Sequence, residues 1–164
     1  MNKRNFLQAS AAIVGTIVLS RCLPLRSKTQ VDPTSRFEIT KTEAEWRRIL
    51  IPEQFYVLRQ QGTESSYSSP LDQQYAKGAY NCVACNLPLF SSQTKFDSGT
   101  GWPSFYAPIK DAIRTSVDNA LFMTRTEVHC RRCGGHLGHV FDDGPPPTGK
   151  RYCMNGVALK FIAT

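Results

Sequence analysis

Two Cys-x-x-Cys pairs limit what this chain can fold into more than any other feature of the sequence. Cys82 and Cys85 form the first pair, and Cys130 and Cys133 form the second. Because two residues separate the thiolates, both sulfurs of a pair can reach one ion from a tight turn, and two pairs complete a tetrahedral zinc site. Such a site has no open position, so the zinc would be structural and would join two distant parts of the chain.

Two disulfides are the alternative use of these four cysteines, and an oxidising compartment would favour them. A disulfide within a Cys-x-x-Cys pair closes a very small loop and constrains the unfolded chain little. The spacing therefore favours zinc.

The segments from Ala79 onward predict β structure. Glycine and proline separate short apolar segments, and residues 118–119 (Asp-Asn) are typical of a hairpin tip whose second arm covers 120–129. Residues 157–161 (Val-Ala-Leu-Lys-Phe) predict a closing strand.

Helical signals are confined to the N-terminal third of the chain. Thr40 and Glu43 have the spacing of a capping box that precedes a first helix. Pro52 can occupy the first turn of a second helix, and Gly62 is placed to end it. We therefore expect a mainly β fold with short N-terminal helices.

The positive charge of the chain lies mostly at its N-terminus. The net charge is +7 over 164 residues, and residues 1–36 carry six basic side chains against one acidic side chain. A nucleic-acid-binding domain would concentrate its charge on the folded part, so no nucleic-acid partner is predicted for residues 37–164. That part is long enough for one domain with a core.

Residues 1–36 have the layout of an export signal followed by a linker. A charged start precedes a short apolar stretch over 9–19, and residues 3–7 (Lys-Arg-Asn-Phe-Leu) resemble a twin-arginine export motif. An ordinary secretory signal, or a tail with a chance apolar run, is the alternative. Cys22 follows the stretch as a lipoprotein cysteine would, so membrane attachment is possible, although Arg21 fits that site poorly.

Cys153 lies outside the two pairs and follows Arg151, whose charge would favour a thiolate and lower the pKa of the thiol. His136 and His139 precede it in the sequence. An unpaired cysteine with histidines suggests nucleophilic or redox chemistry, and a buried, inert thiol beside two structural histidines is the alternative. Spacing alone does not decide between them.

Four segments together identify a family. They are 80–85 (Tyr-Asn-Cys-Val-Ala-Cys), 95–105 (Lys-Phe-Asp-Ser-Gly-Thr-Gly-Trp-Pro-Ser-Phe), 125–145 around the second cysteine pair and both histidines, and 151–156 (Arg-Tyr-Cys-Met-Asn-Gly). In these motifs and their order the chain resembles the methionine-R-sulfoxide reductases, the MsrB family. The resemblance extends over roughly residues 38–162.

The resemblance implies a compact fold of two antiparallel sheets with a structural zinc away from the active site. It also implies reduction of the R epimer of methionine sulfoxide, chiefly in proteins. By motif, Cys153 corresponds to the nucleophile. The positions that line the family's active site are occupied by Trp102, His136, His139, Asp143, Arg151 and Asn155.

The chemistry suggests a role for each of these side chains. His139 would protonate the departing oxygen near neutral pH, with His136 as its partner, directly or through a water. Asn155 would hold the oxygen or the water. Trp102 offers a flat wall for the S-methyl group. Asp143 would orient a histidine or Arg151, which in turn would favour the thiolate.

Thr100 departs from the family pattern, because many members have at this position a second cysteine that forms a disulfide with the nucleophile. Recycling of a Cys153 sulfenic acid would then use Cys22, a thioredoxin-like protein or a small thiol. The expected protein is a monomer. A zinc-ribbon binding module and a disulfide-stabilised interaction domain are the competing hypotheses, and neither explains Cys153 together with the two histidines.

Overall fold

The computed structural model describes residues 37–119 and 123–164, so the predicted export signal, Cys22 and residues 120–122 of the predicted hairpin lie outside the described residues. Two short helices open the described part, α1 at Glu43–Ile49 and α2 at Pro52–Gln60. Neither has the length or the apolar character that a membrane crossing would need.

The capping box of α1 is two residues later than the sequence suggested. The Thr42 side chain accepts from the backbone N–H of Glu45, and the Glu45 carboxylate accepts from the backbone N–H of Thr42 at 2.7 Å. Thr40 instead donates its hydroxyl to the Phe37 carbonyl. Because residues 40–45 contain two threonines and two glutamates with the same spacing, the motif alone did not fix the start. Pro52 opens α2 as predicted.

The rest of the described chain forms strands in two antiparallel sheets, which confirms the mainly β class. The strands are β1 at Gly78–Cys82, β2 at Pro88–Ser91, β3 at Lys95–Phe96, β4 at Ser104–Phe105, β5 at Ile113–Asp118, β6 at Arg125–Cys130, β7 at His136–Phe141, β8 at Arg151–Met154 and β9 at Leu159–Ala163. The first sheet has the order β2-β1-β9 and the second the order β3-β4-β8-β7-β6-β5.

The strand boundaries differ from the sequence expectation at two places. The second arm of the hairpin begins as β6 at Arg125, five residues later than expected. The closing strand β9 begins at Leu159, because residues 156–158 form a 3-10 turn between β8 and β9.

Aromatic side chains join the two sheets in the core. Phe90 of β2 stacks on Phe105 of β4 with ring centroids 4.4 Å apart, and Tyr80 of β1 meets Phe105 edge-on at 4.9 Å. All three side chains are fully buried. Buried aromatic pairs of this kind stabilise the packing beyond the burial of their area. The second sheet is thereby fixed against the first, and its other face is left for the functional side chains.

Candidate active site and metal centre

Strand register collects the functional side chains in one row across the second sheet. Residues directly opposite one another on antiparallel strands project from the same face. Cys153 of β8 lies opposite His139 of β7 and Ser104 of β4. His139 lies opposite Glu127 of β6, which lies opposite Ser116 of β5. Five strands therefore bring a thiol, an imidazole and a carboxylate to one surface.

A second row lies on the same face, two residues along each strand. Asp118 pairs with Arg125, and Phe141 pairs with Arg151. The Arg151 guanidinium lies over the Phe141 ring at 4.5 Å. The two rows surround a cavity of about 150 Å³, enough for a small side-chain terminus. Its lining residues are Thr63, Trp102, Arg125, Gly138, His139, Phe141, Cys153 and Asn155.

His139 is held by a carboxylate that the sequence analysis assigned to a hairpin tip. Its Nε2 lies 2.8 Å from Oδ2 of Asp118, at the end of β5. The same oxygen accepts from the Arg125 guanidinium at 2.7 Å. An ionised carboxylate accepts the Nε2–H and stabilises a protonated imidazole. Nδ1 is thus the nitrogen of His139 that remains for proton transfer.

His136 lies beside His139 but does not line the cavity that contains Cys153. The two rings meet edge-on with centroids 5.3 Å apart. His136 is 2 % exposed, and its Nδ1 lies 2.8 Å from Oε1 of the buried Glu127. Burial lowers the pKa of His136 despite the opposing carboxylate, so this imidazole is neutral near pH 7. The two histidines are thus in ring contact, and each is paired with its own carboxylate.

Glu127 is the anionic half of the second pair. Burial would raise the pKa of its carboxyl, but hydrogen bonds from Ser116 and His136 outweigh burial and lower the pKa overall. The Ser116 hydroxyl donates to Oε2 at 2.7 Å, and the Gln61 amide donates to Oε1 at 3.2 Å. Glu127 therefore stays charged and fixes the orientation of His136.

The backbone of β7 explains why both histidines share one face although they are three residues apart. The register of β6 against β7 shifts between Val128 and His129, as a bulge produces. At Gly138, a Cβ would lie 2.1 Å from the carbonyl oxygen of Cys153. Only glycine allows β7 and β8 to approach this closely beside the nucleophile.

The Cys153 thiol is surrounded by hydroxyl groups and one guanidinium. Thr100 Oγ1 lies 3.9 Å from its Sγ, and Ser98 bridges Thr100 and Ser104 with two contacts of 2.8 Å. Burial raises the pKa of the Cys153 thiol, and the opposing effects of Thr100 and Arg151 are smaller. Arg151 favours the thiolate in the direction that the sequence predicts, but burial has the larger effect, so the net pKa of the thiol is raised.

The other predicted site residues have defined partners. Asp143 forms a two-point ion pair with Arg151 at 2.7 and 2.9 Å, and it touches neither histidine. The Arg151 guanidinium lowers the pKa of Asp143. Asn155 is 3 % exposed and donates to the Leu137 carbonyl at 3.0 Å. The Trp102 indole N–H donates to the Glu64 carbonyl at 3.2 Å, so its ring forms a fixed wall of the cavity.

The four paired cysteines form one cluster, with ligand sulfurs all within 4.8 Å of one another. Cys82 and Cys133 sulfurs are 3.7 Å apart, and Cys85 and Cys130 sulfurs are 3.5 Å apart. Disulfide sulfurs would be about 2.05 Å apart, whereas four sulfurs around zinc at about 2.3 Å are separated by about 3.8 Å. The cluster can hold a metal ion, and its geometry fits a tetrahedral site.

Sequence reasoning missed three side chains that the fold adds to the site. Asp118, Arg125 and Glu127 are charged residues of β5 and β6, and neither the hairpin signal at 118–119 nor the matching segment 125–145 gives them a role in the site. The available signal was the alternation of the strand after Asp118, which places Arg125 and Glu127 on one face. This alternation does not predict which histidines lie next to Arg125 and Glu127, because that depends on strand order.

A thiol beside a histidine that can transfer a proton is typical of a cysteine-dependent enzyme.

Comparison with known proteins shows which family the chain belongs to. The model of the SelR domain matches residues 50–163. The chain is 58 % identical over 124 residues to a peptide methionine sulfoxide reductase MsrB of Methanosarcina barkeri, which covers 75 % of this chain and 87 % of the relative.

Bacterial proteins with the same name are similarly close. Identity is 52 % over 126 residues with that of Leptospira interrogans, covering 76 % of this chain and 96 % of the relative. Identity is 55 % over 122 residues with that of Thiobacillus denitrificans, covering 74 % of this chain and 92 % of the relative. The chain belongs to the SelR domain family, the family of the MsrB peptide methionine sulfoxide reductases.

Proposed function

We propose that this protein reduces the R epimer of methionine sulfoxide in proteins to methionine and so repairs oxidative damage. One observation carries the proposal: Cys153, His139 and Trp102 line the same small cavity. A soft nucleophile, a proton donor and an apolar wall are what the reduction of a methyl sulfoxide needs. The names of the relatives support the same substrate.

Cys153 is the nucleophile in this reaction. Its thiolate attacks the electrophilic sulfoxide sulfur and forms an S–S bond, while the S–O bond breaks and the protonated oxygen leaves as water. Water then attacks the Cys153 sulfur, the S–S bond breaks and methionine is released, so that Cys153 is left as a sulfenic acid. The sulfoxide gains two electrons, and the cysteine loses two. Arg151, held by Asp143, stabilises the thiolate, and the Thr100 hydroxyl lies beside the same sulfur.

His139 protonates the oxygen as its bond to sulfur breaks. A cationic His139 gives up the Nδ1 proton and keeps its Nε2–H, which it donates to Asp118; the carboxylate stabilises the positive charge before transfer. His136, held neutral by burial and oriented by Glu127, packs against His139 and fixes its ring. Asn155, which also lines the cavity, helps to hold the oxygen.

We attribute selectivity for the R epimer to the mixed lining of the cavity. Trp102 and Phe141 offer apolar surface for the methyl group, and Arg125, His139 and Asn155 offer polar groups for the oxygen. The S epimer would exchange the two groups and expose the oxygen to the indole.

Zinc is the metal that we assign to the cluster of Cys82, Cys85, Cys130 and Cys133. Four thiolates around a tetrahedral centre are typical of structural zinc. Zinc would supply folding stability and no chemistry to the reaction, since all four ligand positions are occupied by protein.

An external thiol recycles the enzyme. The sequence has six cysteines, of which four form the cluster, so only Cys22 could act as an internal resolving thiol. We assign the role to a thioredoxin-like protein or a small thiol. Its thiolate attacks the sulfenic acid and releases water, and a second thiol cleaves the resulting disulfide and restores Cys153. The enzyme acts as a monomer in this scheme.

Residues 1–36 export the reductase domain of residues 37–164, and the twin-arginine-like motif carries it across the membrane already folded. That route would let the cluster take up zinc in a reducing cytoplasm. Arg4→Lys should abolish export in a fractionation experiment, whereas Arg21→Lys should leave it intact. Equal export of both variants would contradict the route.

The decisive experiment is turnover of peptides that contain R- or S-methionine sulfoxide, with dithiothreitol as reductant. The wild-type enzyme should reduce the R epimer, Cys153→Ser should be inactive, and Cys22→Ser should retain full activity. Turnover by Cys153→Ser, or equal rates on both epimers, would contradict the proposal. With thioredoxin as reductant, loss of activity in Cys22→Ser alone would make Cys22 the resolving thiol.

A further inference from the structure

One residue outside the predicted site contacts several parts of it. Glu64 lies in the loop after α2, is 6 % exposed, and does not line the Cys153 cavity. Its carboxylate accepts from the backbone N–H of Gly156 through a short hydrogen bond and from the N–H of Val157 at 2.9 Å. These two amides follow the nucleophile by three and four residues.

The backbone of Glu64 contacts two lining residues as well. Its N–H donates to Oδ1 of Asn155 at 2.9 Å, and its carbonyl accepts from the Trp102 indole N–H at 3.2 Å. Glu64 thus connects a polar lining residue, Asn155, to an aromatic one, Trp102. The pKa of Glu64 is raised, because burial outweighs the opposing effect of its two backbone N–H donors.

The loop that contains Glu64 is also fastened to the loop that contains Trp102. The Tyr67 N–H donates to the Gly101 carbonyl at 2.7 Å, and the Tyr67 hydroxyl donates to the Gly99 carbonyl at 2.8 Å. Two hydrogen bonds from Tyr67 therefore tie the position of one loop to that of the other. A shift of Glu64 would displace the Trp102 wall and the amide of Asn155 relative to Cys153.

We propose that Glu64 is a positioning residue of the active site, which sets the distance between the Trp102 wall and the Cys153–Asn155 segment. It touches neither substrate nor the reacting sulfur. The inference rests on the proposed roles of Cys153 and Trp102, and it adds that epimer selectivity depends on a carboxylate outside the cavity.

A carboxylate is required because both of its oxygens accept hydrogen bonds. Glutamine has nearly the same shape but only one acceptor oxygen, so its NH₂ group would face one of the two backbone N–H donors. The loop would have to move to relieve this contact. Displacements of about 1 Å at an active site reduce rates by about a hundredfold.

The test compares Glu64→Gln with Glu53→Gln, which removes an exposed carboxylate from the nearby helix α2. Rates on the R and S epimers are measured with dithiothreitol, together with zinc content and the melting temperature. We expect Glu64→Gln to lower kcat at least about tenfold and to reduce the preference for R, with zinc retained. Glu53→Gln should match the wild type in kcat, in the preference for R and in zinc content.

A second variant disturbs the contact between the Glu64 carboxylate and the backbone of Gly156 by changing Gly156 instead of Glu64. A Cβ on Gly156 would lie 2.0 Å from Ser69 Oγ and 3.3 Å from Glu64 Oε1, so Gly156→Ala should reproduce the loss of selectivity. It also decides the question if Glu64→Gln fails to fold. Glu64→Asp keeps both oxygens and should recover part of the selectivity.

Wild-type kcat, KM and selectivity in folded Glu64→Gln or Gly156→Ala would overturn the proposal, whatever happens to the melting temperature, since a merely structural residue changes only stability. Failure of the wild-type enzyme to reduce the R epimer would instead contradict the proposed function. The two failures are therefore distinguishable.

Discussion

Residues around Cys153 act on its thiol in opposite directions. Burial favours the neutral thiol, whereas the Thr100 hydroxyl and the Arg151 guanidinium favour the thiolate, and burial has the larger effect. The thiol thus becomes more reactive when a bound substrate or a change in pH assists its ionisation. The Arg151 guanidinium therefore limits how far burial raises the pKa of the Cys153 thiol.

The first prediction concerns the ionisation of this thiol. Because its pKa is raised, the thiolate forms at higher pH than in a free cysteine, whose pKa is about 8.5. The rate of Cys153 alkylation by iodoacetamide, followed by mass spectrometry of its peptide, should therefore reach its midpoint above that value. Arg151→Met should move the midpoint higher still, and Lys160→Met should not. A midpoint below that of free cysteine would contradict this account.

The second prediction concerns Asp118. Asp118→Asn removes the charge that stabilises a protonated His139 while keeping the shape of the side chain, so kcat should fall about a hundredfold, within the range for loss of general acid catalysis. Asp142→Asn, which removes an exposed carboxylate paired with Lys150, is the control. Steady-state kinetics on the R epimer would measure both. Similar kcat values for the two variants would exclude the Asp118–His139 pair from proton transfer.

The difference between Cys153 and Asp118 shows what a sequence can reveal about a site. Thiols and histidines are rare and chemically distinctive, so Cys153 and His139 could be selected from the sequence. Asp118 was interpreted as a turn residue because Asp-Asn favours hairpin tips. Asp118 lies next to His139 only because β5 pairs with β6 and β6 pairs with β7. Local sequence patterns do not predict this strand order.

At the scale of elements, the contact of β7 with β8 depends on Gly138. The two strands carry His139 and Cys153 directly opposite each other, and Gly138 lets them approach. Strands β3 and β4 are only two residues long, too short for any periodicity to indicate. The overall β class, the helix opened by Pro52 and the approximate position of the hairpin could be predicted, because each has its own turn or cap residues.

The third prediction tests this strand contact. Gly138→Ala would place a methyl group 2.1 Å from the Cys153 carbonyl oxygen, so the free energy of unfolding should fall by about 3 kcal/mol, as in severe overpacking. Gly149→Ala is the matched control: its φ is also positive at 69°, but a Cβ there meets nothing within 4 Å. It should cost only about 1 kcal/mol. Urea denaturation measures both, and equal losses would refute the close approach of β7 and β8.

At the scale of the whole molecule, the cysteine cluster joins two strands that belong to different sheets and share no hydrogen-bonded ladder. Cys82 ends β1 in the first sheet, and Cys130 ends β6 in the second. Arg59 of α2 donates to the Cys133 carbonyl at 3.0 Å and to its sulfur at 3.4 Å, while its guanidinium lies 4.0 Å from the Trp46 ring of α1. Both helices are therefore attached to the cluster.

The fourth prediction is that the cluster binds one zinc ion per chain and that its loss destabilises the whole domain. Cys130→Ser should lower the melting temperature by at least about 10 °C, since several kcal/mol of metal binding contribute to folding. Cys153→Ser removes a thiol outside the cluster and should leave both zinc content and melting temperature near the wild-type values. Metal analysis and calorimetry measure these quantities. Absence of zinc from the purified wild-type protein would contradict the assignment.

The position of β8 in the strand order has a consequence for the stage of synthesis at which activity can arise. β8 lies between β4 and β7, and β9 completes the first sheet beside β1. A nascent chain that ends before residue 150 lacks the nucleophile and the strand that joins β4 to β7. The site can therefore form only after both β8 and β9 have left the ribosome, and a chain cut before residue 150 would have no partially working form.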